Sequence, residues 1–404
     1  MLKKIILGIL IISTLIFSNA LDFLPQNYEF VFYTPDIEKL YNAFKSTNAG
    51  DVLANQLGLE SMIISMIQQQ LMAQNYSLDD IDIFKELLIA GNKDNIVFVI
   101  GPSKNPDKIK EIYENFTGNS YPEEINVING YFVFGNNYGG GTPPANFTDY
   151  LSKGYLGVTY VNIESDPYKF NGSGYITSNA AEKTLIFHQE ITPLNDESAS
   201  LVEEINASKG KNIIADPNVG GDFLIFINRK LPEFLYSLID SVSIATKDEL
   251  NIKSIEEFDG TAYLSADFSQ IIINSLSNEF EGPYDVYGVM YYQNPSWDLL
   301  SDEISDFVTI NGEKYGIIAT EQGTPIAYIR MDNEKIVFYG KNPGEYITPD
   351  KTFLSENYDP KYITGLFWNL SPTIFNLLGV ETDSYIKFTT YIEDKKIVQH
   401  SVMK

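Results

Sequence analysis

The chain has 404 residues, with 54 acidic against 28 basic side chains and a formal net charge of −26. Such a charge repels phosphate backbones and anionic lipid headgroups, so nucleic acid is not expected as a partner, while a cationic partner or divalent cations are compatible with it. There is no cysteine, which excludes disulfides, thiolate metal sites, cysteine nucleophiles and the acylated cysteine of a bacterial lipoprotein.

The first predicted element is an export leader. Lys3 and Lys4 precede an apolar run from Ile5 to Phe17, and Ser18, Asn19 and Ala20 follow. Small residues three and one before a cut suit a signal peptidase, so residues 1–20 read as a cleaved signal peptide with Leu21 as the mature N-terminus. The run is too short to span a bilayer comfortably, and no membrane anchor is expected after cleavage. The expected location is extracytoplasmic, periplasmic or secreted. Arg229 and Arg330 are the only arginines, and Ile, Asn, Tyr and Phe are abundant. That bias resembles translation of an AT-rich bacterial genome. It also disfavours bidentate recognition of phosphate or carboxylate ligands.

A recurring unit follows in chain order: a Pro-containing turn, a short aromatic strand, a polar break and an amphipathic helix. Pro25 opens the first copy, with a strand over residues 29–33. Asp36 N-caps a helix whose face is Ile37, Leu40, Tyr41 and Phe44. Residues 51–90 read as several helices. Asp79, Asp80 and Asp82 sit at the start of one over residues 83–88, where free amides favour acids. Strand 96–100 and a helix near residues 106–116 form a looser copy. Asn129-Gly130 joins strands 125–128 and 131–134, because Asn-Gly supplies the positive φ of a tight hairpin. Three glycines and two prolines within residues 136–144 hold no regular element.

The second strong copy starts at Pro217, with strand 222–227 and helix 231–238. A looser one has strand 261–265 and a helix ending at Leu276. A meander follows: strands 307–310, 313–320, 325–330 and 335–339, with Asn311-Gly312 as its first turn. The third strong copy has strand 363–368, Ser371-Pro372 and helix 373–378. Strands 384–391 and 396–402 close the chain. Recurrence of this order suggests internal duplication. The break at Asp216-Pro217 divides the mature chain almost evenly.

The leader, the Leu24-Pro25 turn, the aromatic strand and the Pro35-Asp36 lead into a helix resemble the start of a family of exported bacterial proteins of unknown function. The repeated units resemble it as well. The resemblance is one of pattern over the mature chain; it implies an extracytoplasmic α+β fold and carries no catalytic residues to transfer. The expected architecture is α+β: two related domains, 21–210 and 211–404, each an antiparallel or mixed sheet with helices on one face.

Chemistry-bearing motifs are sparse. His188 and His400 are the only histidines, on separate predicted strands, and no His-Glu-x-x-His occurs. They read as ordinary strand residues. Two Ser-x-x-Lys matches, at Ser384 and Ser401, fall on strands, where residues three apart face opposite ways. Asp216, Asn218 and Asp222 faintly resemble a calcium loop, but Pro217 and the missing twelfth-place glutamate argue against one. No metal, cofactor or catalytic residue is therefore assigned. The most suggestive stretch is residues 60–72, which holds three of the seven methionines. Met62, Ile63, Met66 and Ile67 form the candidate groove for a hydrophobic small molecule or protein partner, since methionine adapts to varied apolar partners. The competing reading buries this helix. The expected function is thus a non-catalytic envelope protein. A carboxylate-dependent extracytoplasmic hydrolase and a structural, surface-layer-like component are the alternatives.

Overall fold

The computed structural model describes residues 19–78, 85–117, 125–208, 210–230, 258–276, 284–300, 303–320 and 323–404. It combines helices with antiparallel sheet. The described residues form two compact units. One comprises residues up to Ser46, Leu53–Ile163 and Asn171–Ala180; the other comprises Thr47–Val52, Glu164–Phe170 and Ala181–Lys404.

The first unit is built on β1 (Phe30–Thr34), β2 (Glu86–Asn92), β3 (Asn95–Gly101), β4 (Asn126–Ile128), β5 (Tyr131–Phe134) and β6 (Gly157–Ser165). Pairing gives the order β4-β5-β3-β2-β1-β6, antiparallel throughout. Its main helices are α1 (Ile37–Lys45), α2 (Leu59–Ala73), α3 (Pro106–Thr117) and α4 (Ala145–Ser152). Asp36 caps α1 as expected, accepting from the Lys39 amide. Asn129 and Gly130 take φ of 53° and 85°, the two left-handed positions that a type I′ turn needs.

One expectation is corrected here. Residues 86–88 belong to β2 and not to a helix. An isolated helical pattern loses to the ladder because β2 pairs with β1 on one side and β3 on the other. Its first residue, Glu86, accepts hydrogen bonds from the Tyr33 and Tyr131 hydroxyls at 3.2 and 3.1 Å and from the Ala20 amide at 2.9 Å. Burial, reinforced by Glu86, raises the pKa of both tyrosines.

After β7 (Tyr168–Asn179), the second unit contains β8 (Thr184–Pro193), α5 (Asp196–Ala207), β9 (Phe223–Asn228), β10 (Phe258–Ala266), α6 (Phe268–Leu276) and β11 (Val286–Tyr292). The meander is β12 (Asp306–Ile310), β13 (Glu313–Ala319), β14 (Pro325–Met331) and β15 (Lys335–Tyr339). Then come β16 (Thr364–Asn369), α7 (Ser371–Leu378), β17 (Tyr385–Glu393) and β18 (Lys396–Met403). Eleven strands form one antiparallel ladder in the order β8-β18-β17-β16-β9-β10-β11-β15-β14-β13-β12. By contacts this unit also takes in residues 181–210, because β8 pairs with the last strand, β18.

One face of this ladder packs a core that includes Leu224, Phe226, Tyr263, Val289, Val337 and Phe367. Tyr263 and Tyr287 are buried in it with their hydroxyls satisfied. Asp216 accepts from Tyr263 at 2.7 Å and from Tyr287 at 2.8 Å, and Tyr346 donates to the Asn218 carbonyl at 3.0 Å. The 216–222 segment is therefore a polar spine under the sheet. Asp222 accepts from the amides of Phe268 and Ser269 at the start of α6. Burial raises its pKa against these stabilising bonds. The helix expected over residues 231–238 lies outside the described residues, so the second copy of the repeat is seen only in its strand, β9.

Candidate functional site

The central strands of the second unit are apolar on both faces. Successive residues alternate sides, so Leu224 and Phe226 point into the core while Ile225 and Ile227 point the other way. Register carries that second face across the sheet. Ile225 opposes Leu264, Leu264 opposes Gly288, Gly288 opposes Phe338, and Phe338 opposes Ile329. A second row runs Ile227, Ala262, Met290, Ile336.

Between these rows lies an apolar cavity of about 410 Å³, within the usual range for small-molecule sites of about 300–1,000 Å³. Its shape follows from residue size. Gly288 and Ala262 are the smallest side chains in the two rows and form the floor. Leu264, Met290 and Phe338 rise beside them, and Leu300 also lines the cavity. Further along the same face, Gly316 leaves a similar gap, but the Trp297 and Ile304 side chains occupy it. Among the described residues no side chain fills the gap at Gly288 so closely: a Cβ there would meet the Tyr263 carbonyl at 3.3 Å and the Phe338 Cβ at 3.7 Å. Ile225 and Met290 are exposed despite their apolar neighbours. Among the described residues no charged side chain lines the cavity, so its lining suits an uncharged, apolar moiety.

The residues singled out in the sequence are elsewhere. Met62, Ile63, Met66 and Ile67 lie on α2 in the first unit and are 52, 52, 54 and 40 % exposed. Every residue from 61 to 70 is exposed. Leu71 alone in this helix is buried, packed with Tyr76 and Ile112. The helix is therefore packed at its C-terminal end and displays an uncharged surface of Met, Ile, Ser and Gln, and it does not line the cavity described above. Met66→Asp is expected to leave the melting temperature within a few degrees of the parent, since a hydrated carboxylate on an exposed helix costs only about 0.5 kcal/mol in propensity. A cooperative loss of the first unit in thermal melts would show that the helix is packed.

Carboxylates do come together, around a smaller cavity lined by Asp222, Asp267 and Asp350. Each has a local task. Asp222 and Asp267 receive the amides of the first turn of α6, and Asp350 receives the Thr352 hydroxyl at 2.9 Å. They are capping groups, with no free pair set across a cleft for acid-base work. Asp216 and Asp222 do not converge on a common point as calcium ligands; they bond tyrosines and α6 respectively. His188 and His400, isolated in sequence, are direct partners across β8 and β18. Burial, then His188 and Lys387, lowers the His400 pKa below the usual imidazole value.

Sequence reasoning missed the cavity. The available signal was the unbroken apolar run over residues 223–227, which marks a strand covered on both faces and not one with a wet side. Compared with known protein families, curated proteins and solved structures, the chain shows no match.

Proposed function

We propose that this is an exported, non-catalytic bacterial envelope protein whose second unit binds an apolar ligand on its sheet. The observation that carries the reading is the apolar cavity over Gly288 and Ala262, open at its centre where the equivalent gap at Gly316 is filled. The ligand class is an aliphatic or aromatic moiety whose polar end stays in water, because the lining offers it no charged partner.

The reading is tested with N-phenylnaphthylamine, an uncharged probe that brightens in apolar surroundings and is not repelled by a chain of net charge −26. Saturable binding at one probe per chain is expected. Absence of saturable binding would sink the proposal. Export is tested separately: N-terminal sequencing of exported protein is expected to read Leu21-Asp22-Phe23. Retention of Met1 to Ala20 in a membrane fraction would overturn the cleaved leader.

A second reading has its own observation. The exposed surface of α2, uncharged from Ser61 to Ala73, suits a protein partner. Loss of a partner in Met66→Asp, with probe binding intact, would assign partner binding to α2 and leave the sheet cavity to the small ligand.

A further inference from the structure

The only two histidines of the chain lie 212 positions apart and meet. His188 on β8 and His400 on β18 are register partners, and their rings are in edge contact with centroids 6.0 Å apart at 68°. Glu190 lies two residues beyond His188, hence on the same face of the sheet, with its Oε1 3.6 Å from His188 Nε2. This is the opposite face from the apolar cavity: register leads from His400 through Thr389, Gly365 and Phe226 to Tyr263 in the core.

The spacing can be compared with what one metal ion demands. An ion about 2.0–2.1 Å from an imidazole nitrogen lies about 3.2 Å from the ring centre. Two rings sharing it then have centroids about 5.2 Å apart at a tetrahedral angle and at most about 6.4 Å apart in a straight line. The observed separation falls inside those limits. A side-chain rotation closing about 1 Å reaches the tetrahedral value. His188 is 21 % exposed at its side chain, so an ion from solution can reach it.

We propose that His188 and His400 form a binding site for a borderline divalent transition-metal ion, Cu²⁺ above all, with Glu190 as a third, oxygen ligand. Two imidazoles and a carboxylate follow the affinity order that peaks at copper, with zinc weaker. Among the described residues no set of three ligands is already assembled. Glu190 Oε2 is held by Lys396 at 2.6 Å, and Glu190 turns from that lysine to complete the site. The two imidazoles are the part already in contact, and they decide whether the ion binds.

The composition makes the test clean. With two histidines in the whole chain, any imidazole nitrogen seen on bound copper comes from this pair, provided that purification uses no histidine tag. The full chain is titrated with Cu²⁺ and followed by calorimetry and electron paramagnetic resonance. One ion per chain with nitrogen hyperfine structure is expected. His188→Gln and His400→Gln are each expected to lose that structure and to weaken binding by about a hundredfold, and Glu190→Gln by about tenfold. Circular dichroism confirms that each variant is folded. Should either histidine variant fail to fold, the wild-type hyperfine spectrum decides alone. Copper bound without imidazole nitrogen, or with equal affinity in the histidine variants, would mean an adventitious ion on the acidic surface and would overturn the site.

Discussion

Ala262→Trp is expected to weaken binding of N-phenylnaphthylamine at least tenfold while leaving the fold unchanged. Ala262 stands between Ile227 and Met290 on the cavity face, and its small side chain is part of the floor. An indole at that position occupies the space a ligand would use. A tenfold loss corresponds to about 1.4 kcal/mol, less than the roughly 1.5–3 kcal/mol for burying one large apolar group, so the expected effect is conservative. The side chain is only partly buried, which spares the variant the strain of overfilling a closed core. Fluorescence titration measures the affinity, and a thermal melt within a few degrees of the parent shows that the sheet has not been disturbed. Unchanged affinity in Ala262→Trp would place the probe elsewhere. Loss of binding in Met66→Asp would then move the ligand to α2.

The second large effect is on stability. Phe367→Ala is expected to destabilise the second unit by about 3–5 kcal/mol, as for large aromatic deletions from closed cores. Phe367 is fully buried on β16. Its ring lies 5.6 Å from that of Phe226 and 6.2 Å from that of Tyr362. Strand β16 pairs with β9 and β17, so its neighbours are held by the ladder and cannot collapse fully into the void. The melting temperature of the unit is expected to fall on the order of 10 °C. Phe367→Leu is expected to cost less, because part of the volume is kept. A Phe367→Ala melt within two degrees of the parent would refute the packing assigned to β16.

Much of the local structure was legible in the residues. Asn129-Gly130 and Asn311-Gly312 stand between two strand-like runs and readily take positive φ, so they favour tight hairpins there; the structure has φ of 53° and 86° at Asn311 and Gly312. The meander over β12 to β15 and the closing pair β17 and β18 follow from alternation and turn residues alone. Asp36 identifies the start of α1 for the same reason: the cap, the strand before it and the apolar spacing after it are all within ten residues.

What depended on distant residues was not legible. Residues 86–88 carry a helical spacing but become strand because β1 and β3 offer ladder partners from both sides. Whether α2 was core or surface could not follow from its own pattern, because burial depends on what the rest of the chain places over it; only Leu71 is covered. Strands β9, β10, β11 and β15 form a cavity only through registers that set Gly288 and Ala262 among larger neighbours. The histidines show the same limit. His188 and His400 each look like one more strand residue, and what makes them a pair is the antiparallel register of β8 on β18, set by long-range hydrogen bonding and not by any neighbour in sequence.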